Sequence, residues 1–160
     1  MIHCAPRPLA VAVTGTRDTR HREGTWYSAL FRVYLAPWAT QDAQFYIGGA
    51  KGIDSLALCH LAEESRSRIT VVVPGTVEQQ PAEAQHTIEQ CRRRDRIAEI
   101  VALRAPELRT AAFHARNRWM VDRADIVIGF PLTESAGGSG TWQTLNYATE
   151  QGKPRLIVPV

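Results

Sequence analysis

The chain has 160 residues, 44% hydrophobic and 22% charged, with a formal net charge of +3. That composition is that of a soluble globular protein, and the length suits one domain, so residues 1–160 are expected to form a single unit. No apolar run approaches the ~20 residues of a membrane helix. The opening "MIHCAPRPLAVAVTG" has no charged segment followed by a long apolar core, so the expectation is a cytoplasmic protein with no membrane partner.

In chain order, "LAVAVTG" is a short run rich in valine that ends in Thr-Gly, which predicts a strand over 9–14. A helix is predicted over 23–36, stopped by Pro37. "AQFYIGG" gives a second strand over 43–49. In "GIDSLALCHLAEES", Ile53, Leu56, Ala57 and Leu61 fall at helical spacing, so 52–65 is predicted helical. "RITVVVPG", 68–75, is apolar on both faces and reads as a buried strand. A helix over 82–94, a strand over 98–104, a helix over 111–124 and a strand over 125–131 follow. The last helix is predicted over 140–152, with Gly152 as its C-cap, and a sixth strand over 154–160. This alternation predicts an α/β, Rossmann-like three-layer sandwich: a mostly parallel sheet of about six strands with helices on both faces.

Open parallel sheets bind ligands beyond the carboxyl ends of their strands, so the loops that follow the strands carry the functional information. After the first strand comes "TGTRD", with Gly15, Thr16 and Arg17. After the second comes "GGAKGID", with Gly48, Gly49, Lys51 and Asp54. After the fifth comes "FPLTESAGGSGT", where Gly137, Gly138, Ser139, Gly140 and Thr141 lead straight into a helix. Glycine lets an anion approach the free N–H groups and partial positive charge of a helix start, and Arg17 and Lys51 add full charges. Each loop alone reads equally as a turn; together, on one rim, they predict a phosphate seat. Neither glycine loop matches the dinucleotide fingerprint. "GGAKG" also lacks the hydroxyl that must follow the lysine in a phosphate-binding P-loop. In "FHARNRWMVDRAD", Arg116 and Asn117 are placed at the ligand rim, with Trp119, Met120, Val121 and Ala124 toward the core and His114 at the surface. Asp54 is read as fixing its loop, because a carboxylate beside a phosphate repels it.

All of the 19 cationic residues except Lys51 and Lys153 are arginine, the better fork for phosphate, although codon usage in a GC-rich genome gives the same bias. "CRRRDR", 91–96, reads as a solvated helix end. Cys4, Cys59 and Cys91 are odd in number and far apart, so no metal, disulfide framework or cofactor is expected. Trp26, Trp38, Trp119 and Trp142 are the aromatic residues available for stacking on bases.

Six pieces occur in an order and spacing that resemble the Smf/DprA and LOG superfamily of Rossmann-like domains. They are "VAVTGTRD", "GGAKGIDSLA", "ITVVVPG", "FHARNRWMVDRADIVIGF", "GGSGTWQT" and "ATEQGKPRLIVPV". The resemblance covers nearly the whole chain, and "GID", "RNR" and "SGTWQT" are its most specific pieces. The Smf/DprA branch binds single-stranded DNA and helps load recombinase. Its pattern is similar to "KGID", apart from Leu58 where that branch has histidine, to "FHARNR", and to "SGTWQT" through Thr144. Proteins of that branch often carry further domains, for which 160 residues leave no room. The LOG branch hydrolyses the N-glycosidic bond of nucleoside monophosphates. Gly137, Gly138, Gly140 and Thr141 fit its glycine loop and Arg116 its helical arginine, but Thr144 stands where its carboxylate would be and Ala136 replaces its proline. Threonine cannot act as a carboxylate acid/base; Glu134 and Asp18 are the substitutes at hand. The resemblance therefore implies a protein that binds a nucleotide, another phosphorylated small ligand or single-stranded DNA without hydrolysing it; the alternative it leaves is a nucleoside 5'-monophosphate phosphoribohydrolase or a related N-glycosyl transferase. It also implies a homodimer.

Overall fold

In the computed structural model the described residues are 7–132 and 139–160. Six strands form one parallel sheet: β1 (Ala10–Gly15), β2 (Gln44–Gly48), β3 (Arg68–Val73), β4 (Glu99–Ala102), β5 (Ile126–Phe130) and β6 (Arg155–Ile157). Their spatial order is β4-β3-β2-β1-β5-β6, and every neighbouring pair is parallel. The helices are α1 (Gly24–Tyr34), α2 (Ile53–Glu64), α3 (Ala82–Arg93), α4 (Thr110–Arg123) and α5 (Gly140–Glu150). The predicted α/β sandwich is the fold observed. No helix among the described residues is long and apolar enough to cross a membrane.

Strand alternation divides the core into two layers. Val11, Val13, Phe45, Ile47, Val71, Val73, Ile126, Ile128 and Phe130 face α1, α2 and α3 in one cluster. Ala12, Val72 and Val127, the intervening residues, face α4 and α5 with Met120, Val121, Leu145 and Ala148. Burial on both faces is why these strands read as continuous apolar runs. Phe31 of α1 meets Phe130 of β5 edge to face at 5.3 Å, an arrangement worth about 0.5–1.5 kcal/mol beyond the area it buries.

Helix ends are closed by specific partners. Gly152 has φ +68, its amide donates to the carbonyl of Thr149, and the amide of Lys153 donates to Ala148, so α5 ends in a Schellman motif. The Lys153 ammonium also reaches the carbonyl of Ala124 at 2.7 Å, just past α4. Arg96, in the basic cluster, turns inward and donates to the carbonyls of Ala62 and Ser65 at the end of α2, 3.0 and 2.9 Å away. Its neighbours Arg93 and Arg94 pair with Glu89 and Glu63 at the surface, as expected for a solvated helix end.

Several boundaries differ from the sequence expectation; the last strand, for one, runs over Arg155–Ile157 where 154–160 was predicted. The first helix ends at Tyr34 rather than 36, because Pro37 enters a short 3-10 turn, Ala36–Trp38. The fourth strand closes at Ala102, and two residues later Arg104 takes a left-handed φ of +54. Extended backbone cannot continue through such a residue.

Candidate functional site

The strand order reverses between β1 and β5. The chain leaves β1 toward β2 on one side and leaves β5 toward β6 on the other, so the loops beyond the two strands part and open a crevice. A cleft of about 380 Å³ lies there, lined by Gly15, Thr16 and Arg17 after β1, by Arg116 and Asn117 of α4, and by Ser139, Gly140 and Thr141 at the start of α5. These are eight of the thirteen residues singled out from the sequence, and they come from three separate segments. Gly137 and Gly138 lie outside the described residues, as does Glu134.

The remaining three take different places. Gly48 and Gly49 are buried below the cleft rather than lining it. A side chain at Gly48 would come within 2.5 Å of Arg116 Nη1 and 2.6 Å of Asp54 Oδ2, so this glycine makes room for the charged pair. The Gly49 carbonyl accepts from Gln80 Nε2. Lys51 is exposed and borders a shallower depression with Arg17 and Arg20. The reason lies at the start of α2. Gly52 has φ +77, and a Cβ there would stand 2.5 Å from the Thr16 carbonyl oxygen. The amide of Ile53 donates to that same oxygen at 3.0 Å. The first turn of α2 is thus closed by the β1 loop, which holds the two loops together, whereas the start of α5 borders the cleft.

Arg116 and Asp54 form the electrostatic centre. Arg116 is 4% exposed and Asp54 7%, and both approach the bare Cα of Gly48. Asp54 Oδ2 accepts from the Ala50 amide at 3.3 Å. Arg116 donates through Nε to Asn117 Oδ1 at 2.8 Å and through Nη1 to the Val72 carbonyl at 3.3 Å. Among the described residues Nη2 has no hydrogen-bond partner, and Arg116 lines the cleft. A charged donor held by two bonds to neutral acceptors, with one amine left over, is prepared for an external anion.

Burial pushes the Asp54 carboxyl up to about 6, against the pull of the Arg116 guanidinium and the Ala50 amide. The Arg116 guanidinium is lowered by the same loss of water, with Asp54 opposing. The folded protein therefore holds the Asp54 proton more tightly than the unfolded chain, and stability falls as pH rises from about 4 to about 6. At neutral pH the ionised carboxylate costs about 3 kcal/mol relative to its protonated form. Asp54→Asn is expected to erase this segment. In urea titrations the variant should exceed the parent in stability at pH 7.5, and the advantage should vanish below pH 4. An advantage of equal size at both pH values would contradict the assignment. This arrangement agrees with reading Asp54 as a fixture of the loop.

Several cleft residues were not apparent in the sequence. Arg17 stacks on the Phe113 ring, its guanidinium carbon 4.7 Å from the ring centroid. Thr110, Phe113, His114 and Gln143 also line the cleft. His114, expected at the surface, is half-exposed and lines the cleft. The signal for Phe113 was its position three residues before Arg116, one helical turn away on the same face. The four tryptophans stand elsewhere. Trp26 and Trp38 pack beside the first core cluster and Trp119 and Trp142 beside the second, so Phe113 is the aromatic residue of the cleft.

The Thr144 hydroxyl donates to the Gly140 carbonyl at 2.9 Å, one turn back along α5, and the residue is 2% exposed. Asp18 is tied to Arg20 at 3.1 Å and borders the Lys51 depression rather than lining the cleft. Among the described residues no group of three His, Cys, Asp or Glu could hold a metal ion.

A family model described as DNA recombination-mediator protein A matches residues 3–160. No curated protein sequence matches the chain. The structure of DNA processing protein A from Helicobacter pylori, described for its single-stranded DNA binding mode, superposes with a TM-score of 0.65 at 23% identity. It covers 96% of this chain and 66% of that one. DNA processing protein A from Streptococcus pneumoniae gives 0.68 at 22% identity, over 96% of this chain and 51% of that one. TM1055, a structural-genomics target, gives 0.55 at 17% identity, over 92% of this chain and 72% of that one. The chain thus spans between half and two thirds of the length of the two DNA processing proteins. With the family model matched across almost every residue, this chain belongs to the DNA recombination-mediator protein A family.

Proposed function

We propose that the chain binds single-stranded DNA through phosphates seated in the cleft between β1 and β5, without cleaving the nucleotide. The observation that carries this reading is the meeting of Arg17, Arg116 and the first residues of α5 around one opening. Arg116 offers a charged fork, and the start of α5 offers amides with the favourable end of the helix dipole. Both act on phosphate and neither reads a base, so binding is expected with little sequence preference. Gly15, Thr16, Ser139, Gly140 and Thr141 shape the seat, Asn117 orients Arg116, and Lys51 adds charge from the adjoining depression. Gly48 makes room for Arg116 and Asp54 beside it. Membership of the family and the likeness to the Helicobacter pylori protein support DNA as the ligand.

A homodimer in the cytoplasm goes with this reading, because a strand longer than one site is held more tightly by two linked copies. The second reading is a mononucleotide or other phosphorylated small molecule, which a cleft of about 380 Å³ also fits.

Fluorescence anisotropy with labelled oligothymidine separates the two. With three phosphate contacts, affinity is expected to fall about 20-fold between 50 and 200 mM salt. Binding no tighter than that of thymidine monophosphate would overturn the DNA reading in favour of the second. Incubation with nucleoside monophosphates is expected to release no free base, since Thr144 is committed to the helix backbone. Measurable release would refute the non-hydrolytic assignment.

A further inference from the structure

Beside the phosphate cleft a second groove of about 340 Å³ runs between α4 and α5, and the two share His114, Asn117 and Gln143. Its far part is formed by Arg118, Asn146, Tyr147 and Glu150. Three carboxamides thus border one groove, Asn117 from α4 and Gln143 and Asn146 from α5. Gln143 and Asn146 are three residues apart on the same helix face and both are exposed. Among the described residues their side-chain amides have no hydrogen-bond partner. Asn117 is oriented by Arg116: Nε is a donor, so the atom 2.8 Å away must be the amide oxygen, which leaves the NH2 group free to donate. Tyr147 is held by a 2.6 Å hydrogen bond from its hydroxyl to Asp122, which fixes the ring as a wall.

The charge differs from that of the phosphate cleft. Arg118 and Glu150 oppose each other in sign, whereas the cleft gathers Arg17 and Arg116 with Asp54 as its only carboxylate among the described lining residues. A phosphate gains nothing from the second groove. A neutral group rich in donors and acceptors does, because carboxamides pair with the polar edges of nucleobases. Asn146 lies six residues beyond Gly140, which at the helical rise puts it about 9 Å from the start of α5. That is close enough for one nucleotide unit to reach both places.

We infer that the groove between α4 and α5 is a nucleobase subsite, in which the amides of Asn117, Gln143 and Asn146 hold the polar edge of the base whose phosphate occupies the neighbouring cleft. The inference rests on the phosphate reading above. It adds that the protein gains affinity from bases as well as from the backbone.

The test uses a labelled thymidine oligonucleotide and an abasic strand of the same length, each titrated against the parent protein and against Asn146→Ala and Asn146→Leu. Asn146 is exposed and lines only the second groove, so neither variant should disturb folding. The parent is expected to bind the base-bearing strand about tenfold more tightly than the abasic one. Both variants should lose about fivefold on the base-bearing strand, the worth of one to two hydrogen bonds, and nothing on the abasic strand. Equal affinity of the parent for the two strands overturns the subsite and leaves the phosphate seat standing. Equal losses on both strands likewise overturn it, since Asn146 would then act on the backbone. Failure of the parent to bind either strand refutes the phosphate seat and the subsite together.

Discussion

Arg116→Met is expected to weaken oligothymidine binding about 100-fold, the largest effect of any single change at the cleft. Charge-assisted hydrogen bonds to phosphate are worth about 1.5–3 kcal/mol each, and Arg116 also supplies the field of a poorly screened cation. Its removal has a second consequence. Asp54 is left buried without its counter-charge, so it stays protonated at neutral pH, and the variant should be less stable by about 2 kcal/mol. The double variant Arg116→Met with Asp54→Asn removes both charges. Its stability is expected to return to that of the parent or above, while binding stays lost. Calorimetric melting and anisotropy on the parent, the two single variants and the double variant separate the two roles. If binding returns with stability in the double variant, Arg116 serves the fold alone and the anion seat lies elsewhere.

Gly52→Ala is expected to have the largest effect on stability, a loss of about 3 kcal/mol and of about 10 °C in melting temperature. Two independent costs combine there. The backbone sits at φ +77 and ψ −130, a region that side chains avoid, and the added methyl would meet the carbonyls of Thr16 and Arg17 at 2.5 and 2.6 Å. The obstructing atoms are backbone, so they cannot swing aside. Two other glycines calibrate the result. Gly152 shares the positive φ but has open space around it, so Gly152→Ala should lose about 1 kcal/mol. Gly24 has open space and no positive φ, so Gly24→Ala should be neutral or slightly stabilising. Thermal melts of the three variants should follow that order. A Gly52→Ala protein as stable as Gly24→Ala would show that the β1 and β2 loops are not locked together through Gly52.

The regular elements were legible in the sequence because each carries its period openly. The valines of β3 announce burial on both faces, and the Gly-Lys-Pro run after α5 announces its end. The candidate rim was legible as well, since a parallel sheet puts the residues that follow β1, β2 and β5 on one edge. What could not be read was which loop faces outward. "GGAKGID" and "GGSGT" look alike as strings. In the fold the first spends its helix start on the Thr16 carbonyl, whereas Ser139, Gly140 and Thr141 of the second open on the cleft. That choice depends on a contact between residues 16 and 53, which no local pattern encodes. The contribution of α4 was half visible. Arg116 stood out by charge, but Thr110, Phe113 and His114 reach the cleft only because the chain crosses from β4 at one edge of the sheet back to β5. Aromatic content misled in the same way: tryptophan counts say nothing of position, and the four tryptophans serve the two core clusters.

The most direct test of the account is a crystal structure of the protein with a short oligothymidine. A phosphate is expected between β1 and β5, within hydrogen-bond reach of Arg116 Nη2 and of the first amides of α5. A strand bound on any other surface, with the space beside Arg116 holding only solvent, would contradict it.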